Sequence, residues 1–202
     1  MKSNQKENII SIAGIDYSLT SPSVAVYTGK SFYPNLIPFN EVKFLVVSDK
    51  KQKECNFPNI TIIPHTNKDS FRYEIERFME NATLCVNFIN FHKSNKIISK
   101  VLIEDYAMRA KGRVFAIGEN TAILKYNLFQ ANLPYNTIPP TTIKKFATSK
   151  GNANKELMYN QFVNDTKITN LHSSILGDNK LDSPVTDIVD SYYILNYICT
   201  MN

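Results

Sequence analysis

A change of hydrophobic period along the chain constrains its fold more than any other feature. Asp69 to His92 carries apolar residues at Phe71, Ile75, Phe78, Met79, Ala82, Val86 and Ile89, a spacing close to the helical period. Ile97 to Tyr106 then returns to strand chemistry with Ile97, Ile98, Val101, Leu102 and Ile103, and a buried strand after a helix predicts a parallel crossover. Upstream, the apolar run of Ile9 to Tyr17 ends in the turn-prone stretch Ser18 to Ser23, and Val24 to Tyr27 reads as its hairpin partner. Phe44 to Val47 supplies a third strand, and Ile60 to Ile63, between Pro58 and Pro64, a short edge strand. Downstream, a helix over Phe115 to Ala131, a strand near Tyr135 to Ile138 and helices near Thr142 to Ala147 and Lys155 to Val163 continue the alternation. Ser183 as N-cap with Pro184 at the first helical position opens an apolar helix running almost to Asn202. Loops are expected over Asn35 to Glu41, Asp49 to Asn59 and Thr166 to Ser183. This order implies an α/β fold with a mixed sheet and helices on its faces.

The 202 residues suit one domain with a continuous core, and no repeat or low-complexity tract divides them. Lys and Arg exceed Asp and Glu by 23 to 18, a net charge of +5 that suits an anionic partner without establishing one. Cys55, Cys85 and Cys199 are odd in number and widely spaced, which suggests neither a disulfide framework nor a zinc motif and fits a reducing compartment. His65, His92 and His172 lack metal-ligand spacing. With a polar Met1 to Asn8 and no stretch near ~18 apolar residues, the expectation is a soluble, cytoplasmic protein without a membrane partner.

Three placements set acids where apolar elements end or pack: Asp16, Glu104, and the pair Asp187 and Asp190. Residues three apart on a helix lie on one face, so the last two repel, and a bound cation would relieve the repulsion. Each has a bland alternative: Asp16 as a turn former, Glu104 as a surface acid at a strand end, Asp187 at a helix N-terminus with Asp190 solvated. Together they suit magnesium, a hard cation taking oxygen ligands, two of which about 4 Å apart can activate water and stabilise the leaving oxygen of a phosphodiester.

The motifs Gly14-Ile15-Asp16-Tyr17-Ser18-Leu19-Thr20, Ile103-Glu104-Asp105-Tyr106 and Thr186-Asp187-Ile188-Val189-Asp190-Ser191 stand in an order that resembles the RuvC family of Holliday junction resolvases. The resemblance covers nearly the whole chain. It implies one RNase H-like domain over residues 1–202, with an antiparallel first hairpin and strand, then parallel strands, flanked by helices on both faces. It further implies that Asp16, Glu104, Asp187 and Asp190 are catalytic ligands of two Mg2+ ions, with Mn2+ as a substitute, and that a homodimer cuts four-way or other branched DNA by paired nicks. The compact chain looks most like a bacteriophage or viral version, which would place it in the host cytoplasm. Asp105 should point to the other strand face and stand behind the ligands at best.

Pro139-Pro140-Thr141-Thr142-Ile143-Lys144-Lys145 and Lys150-Gly151-Asn152-Ala153-Asn154-Lys155 resemble the family segment in which two lysines approach the scissile DNA, roles carried to Lys144 and to Lys155 as a catalytic lysine. Lys150 joins them as a phosphate contact, because a basic run with Gly151 allowing close backbone approach suits a DNA backbone; a solvated basic face is the alternative. Arg109, Lys111 and Arg113 follow the Glu104 motif and are candidate DNA contacts on a loop that is nearly as well read as solvated. Tyr106 or Phe115 is a candidate for stacking on an unpaired base, with packing the alternative, and Ala107 stands where some relatives place an aromatic residue.

Gly-Ile-Asp followed by Ser/Thr also resembles the phosphate motif of actin and sugar-kinase nucleotide-binding proteins. Those need two lobes, and among six glycines no adenosine-binding motif is found. A non-catalytic junction-binding protein of the same fold has no need of buried acids near phosphate. A ribonuclease H acting on RNA–DNA hybrids would share the acid chemistry.

Overall fold

A computed structural model describes residues 9–30, 36–48, 55–65, 72–93, 98–105, 113–177 and 181–201. The chain enters as a hairpin, β1 (Ile9–Asp16) and β2 (Ser23–Lys30), and continues through β3 (Lys43–Val47) and β4 (Ile60–Ile63). Helix α1 (Glu74–His92), β5 (Ile98–Glu104), α2 (Val114–Gln130) and β6 (Tyr135–Ile138) follow. Four helices complete it: α3 (Pro140–Thr148), α4 (Lys155–Thr166), α5 (Leu171–Ile175) and α6 (Val185–Ile198). The six strands form one sheet in the order β4-β3-β2-β1-β5-β6. β1, β2 and β3 pair antiparallel, whereas β3 with β4, β1 with β5 and β5 with β6 pair parallel. The mixed sheet with helices on both faces is the expected fold class, and β4 lies at its edge as its flanking prolines predict.

Strand alternation sorts the two cores. Ala13, Ile15, Val101 and Ile103 point toward α1 and α2, where they meet Ala82, Cys85, Ile89, Leu124 and Leu128. Ile12 and Leu102 point the other way, into the core of α6 with Phe162, Ile188, Tyr192 and Leu195. Because side chains repeat every second residue, Gly14 and Asp16 share the face of Ile12, and Glu104 shares that of Leu102. Both strand-end acids therefore face α6.

Gly14 determines how closely α6 lies on the sheet. A Cβ at this position would sit 2.3 Å from the Leu195 nitrogen and 2.7 Å from the Ser191 carbonyl oxygen, so only glycine admits the helix backbone here. The neighbours are small as well: β1 pairs Gly14 with Ala25 and Asp16 with Ser23, and the Ser23 and Ser191 hydroxyls bond at 2.8 Å.

Several expected boundaries are corrected. Helix α1 begins at Glu74 rather than Asp69, because the Glu76 carboxylate accepts the backbone N–H groups of Arg72 and Tyr73 and caps the helix there. Pro184, after a cis Ser183–Pro184 bond, occupies the cap position of α6 in place of Ser183. The same helix stops at Ile198 in tightened turns, Cys199 N–H bonding to Asn196 and Thr200 N–H to Tyr197. The expected loop over Thr166 to Ser183 contains α5, whose Leu171 and Ile175 are fully buried.

Candidate active site

Parallel pairing brings the first two acids together. Ile15 is in register with Ile103, so Asp16 and Glu104 end neighbouring strands on the same face. Helix α6 crosses this face, and Asp187 and Asp190 project from its first turns toward the strand ends. The electrostatics show the convergence. Burial holds the Asp16 carboxyl well above the usual carboxylate range, reinforced by Glu104, Asp187 and Asp190, with Lys155 opposing. Glu104 is pushed up to about 8 by burial and by Asp190, against the pull of Lys144. Asp190 rises to about 7 through burial and the neighbouring Asp187, with Lys144 and Lys155 opposing. Asp187, 7% exposed, is also raised by burial, opposed first by the hydroxyls of Ser21 and Ser183 and then by Lys155 and the Thr186 hydroxyl.

Two lysines thus face four acids. Lys144, half-buried on α3, acts on Glu104 and Asp190. Lys155, at the start of α4, acts on all three aspartates and lies 3.9 Å from Asp182, with much of its side chain exposed. α4 starts here because the Asn154 side chain accepts the Leu157 N–H, a cap that fixes the backbone carrying Lys155. Lys150 is exposed in the connection between α3 and α4.

Arg113 precedes α2 and bonds Glu74, which also takes Arg77 at 2.8 Å, so its guanidinium is partly committed to joining α1 and α2. Arg109, Lys111, Tyr106 and Ala107 lie outside the described residues. Phe115 projects from the first turn of α2 and is 88% exposed, so it does not pack in the core.

The acid donors suit a divalent cation in kind: all are oxygen, and carboxylates close enough to raise one another's pKa are opposed, among the described residues, by Lys144 and Lys155. Among the described residues, no three acidic, histidine or cysteine side chains are already closed into a metal cage. The four acids share a site by register and by charge without forming a ready-made ligand shell.

Sequence reasoning passed over the residues that hold this arrangement. Ser21 lies in the stretch read only as a turn, yet its hydroxyl donates to Asp187 Oδ2. Asn120 of α2 donates to the Ser18 carbonyl at 3.4 Å, and a His65 ring nitrogen lies 2.8 Å from the Thr20 carbonyl. A cavity of about 1030 Å³ opens elsewhere, near the far end of α6, lined by Phe39, Phe146, Tyr192 and Asn196. No helix among the described residues is long and apolar enough to cross a membrane.

No protein-family model matches the chain, and no curated protein matches it. Solved structures do. Thermus thermophilus RuvC aligns over 95% of this chain and 96% of its own at 14% identity, with a TM-score of 0.55. T. thermophilus RuvC in complex with Holliday junction substrate aligns with the same coverage and identity at a TM-score of 0.60. At that identity the likeness concerns the backbone, and it agrees with the strand order and helix placement described above: the chain has a RuvC-like, RNase H-like fold.

Proposed function

We propose that this protein is a divalent-metal-dependent endonuclease that cuts branched DNA, four-way junctions above all. The observation that carries the reading is the meeting of Asp16, Glu104, Asp187 and Asp190 on one sheet face with Lys144 and Lys155 beside them. The four acids would hold Mg2+ ions, two in the full site, with Mn2+ able to take their place. When bound, such ions supply an activated water and stabilise the leaving oxygen of the phosphodiester. The acids themselves orient through their backbones, because strand ends and a helix seated on Gly14 leave little freedom. Lys144 and Lys155 neutralise phosphate charge that would otherwise meet four carboxylates, and Lys150 extends the basic edge.

The fold shared with a protein solved on a Holliday junction favours a branched substrate. Phe115, exposed in the first turn of α2, would stack on a base unpaired at a branch point. Paired cuts on opposite strands need two active sites, and one chain supplies one acid cluster, so the acting species is a homodimer. Exposed Ile75, Met79 and Phe91 on α1 and Tyr126 and Phe129 on α2 supply apolar surface for it.

The test is to offer purified protein labelled four-way, three-way, RNA–DNA hybrid and linear substrates with Mg2+, Mn2+ or EDTA, with light scattering alongside. Metal-dependent paired nicks in four-way junctions by a dimer are expected. Cleavage confined to hybrids would assign a ribonuclease H activity instead, and monomers nicking unrelated positions would remove the resolvase role.

A further inference from the structure

The connection between β1 and β2 is fixed from several elements at once. Ser18 Oγ accepts the Ser21 N–H at 2.9 Å, Val47 N–H donates to the Pro22 carbonyl at 3.0 Å, and Asn120 and His65 hold the carbonyls of Ser18 and Thr20. The product of this bracing is one hydroxyl, that of Ser21, which is 4% exposed and reaches across 166 residues of sequence to Asp187 Oδ2. The other oxygen, Oδ1, lies 3.4 Å from the Thr186 hydroxyl, and the Ser183 hydroxyl also bonds this carboxyl. Ser183 and Thr186 belong to the chain segment of Asp187 itself, whereas Ser21 ties the acid to the strand pair that carries Asp16.

We propose that Ser21 is a positioning residue for the metal site: its hydroxyl engages one oxygen of Asp187, fixes the carboxylate plane and leaves the other oxygen to coordinate a cation. This rests on the metal-centre reading above and deepens it by coupling the β1–β2 connection to the helix acid. A hydroxyl donor bonded to a ligating carboxylate orients it, and losing such a partner typically lowers metal affinity about 10- to 100-fold. Removing the hydroxyl also leaves a buried carboxylate oxygen short of a donor, which an apolar side chain cannot supply.

Calorimetric titration of the metal-free full chain with Mn2+, without DNA, separates the possibilities, with far-ultraviolet circular dichroism reporting folding. Ser21→Ala is expected to bind Mn2+ about 10- to 100-fold more weakly than wild type, and Ser21→Thr, which keeps the hydroxyl, to recover most of the loss. In an Asp187→Asn background, Ser21→Ala should cost no further affinity, because the group it positions is no longer the ligand. Should Ser21→Ala not fold, Ser21→Cys, similar in size with a weak donor, replaces it and is expected to lose affinity in the same direction. Wild-type protein that binds Mn2+ tightly, together with a folded Ala or Cys variant that binds it equally well, would overturn the role of Ser21 alone. Wild-type protein that binds no Mn2+ would overturn the metal-centre reading and this proposal with it.

Discussion

The acidic and basic halves of the site are held in different ways. Asp16 and Glu104 end adjacent strands in fixed register, and Asp187 and Asp190 stand on a helix whose backbone touches Gly14. Lys144 is half-buried, while Lys150 and Lys155 are exposed on short helices and the turn between them. Ligands of a small hard cation must hold their geometry, so they belong on rigid elements. Cations that meet a polyanion need only bring charge within reach, and lysine does so as a point charge. Substitutions in the first half should therefore change chemistry and stability, and those in the second half mainly binding.

The largest effect is expected in the acids. Asp16→Asn, Glu104→Gln, Asp187→Asn and Asp190→Asn should each lower junction cleavage about 100-fold or more, a loss of several kcal/mol in the barrier. Junction binding should survive, since losing a negative charge lessens phosphate repulsion. Gel cleavage and mobility-shift assays check this, and undiminished cleavage by any two variants would remove the contrast between the halves.

Two glycines test the scaffolding under each half. Gly14→Ala drives a methyl into the backbone of α6 and should destabilise the fold by about 1–3 kcal/mol or more. At Gly151, a Cβ would lie 3.3 Å from the Thr141 carbonyl oxygen, a tight approach that a shift of a few tenths of an ångström would relieve, so Gly151→Ala should cost less, about 1 kcal/mol. Denaturant unfolding compares them, and equal losses would show that α6 is not specially seated.

The pH dependence belongs to the acidic half alone. Glu104 at about 8 and Asp190 at about 7 hold protons in the folded chain that the unfolded chain releases near pH ~4. The folded state then binds more protons between these limits, so metal-free stability should be highest at low pH and fall as pH rises through 7 and 8. The melting temperature should drop over this range, and Asp190→Asn should flatten the profile. Melting curves without metal from pH 5 to 8 decide it, with a rising profile as the contrary result.

The smallest effects are expected for Lys144→Ala and Lys155→Ala, with weaker binding and a salt slope shallower by about one for each phosphate that is no longer neutralised. A wild-type slope with wild-type cleavage in both would return the lysines to an ordinary solvated face.

The unequal legibility of the two regions has a physical origin. Strands β1 and β5 and the acids at their ends are readable because apolar runs and alternation are local signals, and alternation already places Asp105 away from Glu104. The seat at Gly14 and the hydrogen bond from Ser21 to Asp187 are not, because each joins segments far apart in sequence and leaves no local periodicity. Helix α5 escapes a reading by pattern because Leu171–Ile175 is barely longer than one turn, too short for a hydrophobic period. The start of α1 depends on where the Glu76 carboxylate reaches back, a detail of side-chain geometry that the apolar spacing does not encode.

Anomalous diffraction from crystals grown with Mn2+ tests the central claim most directly, since it locates the cation without relying on turnover. The expected result is manganese density bounded by Asp16, Glu104, Asp187 and Asp190, abolished in Asp16→Asn crystals. Well-ordered crystals at saturating Mn2+ with no density among these acids, or with manganese held only elsewhere, would contradict it.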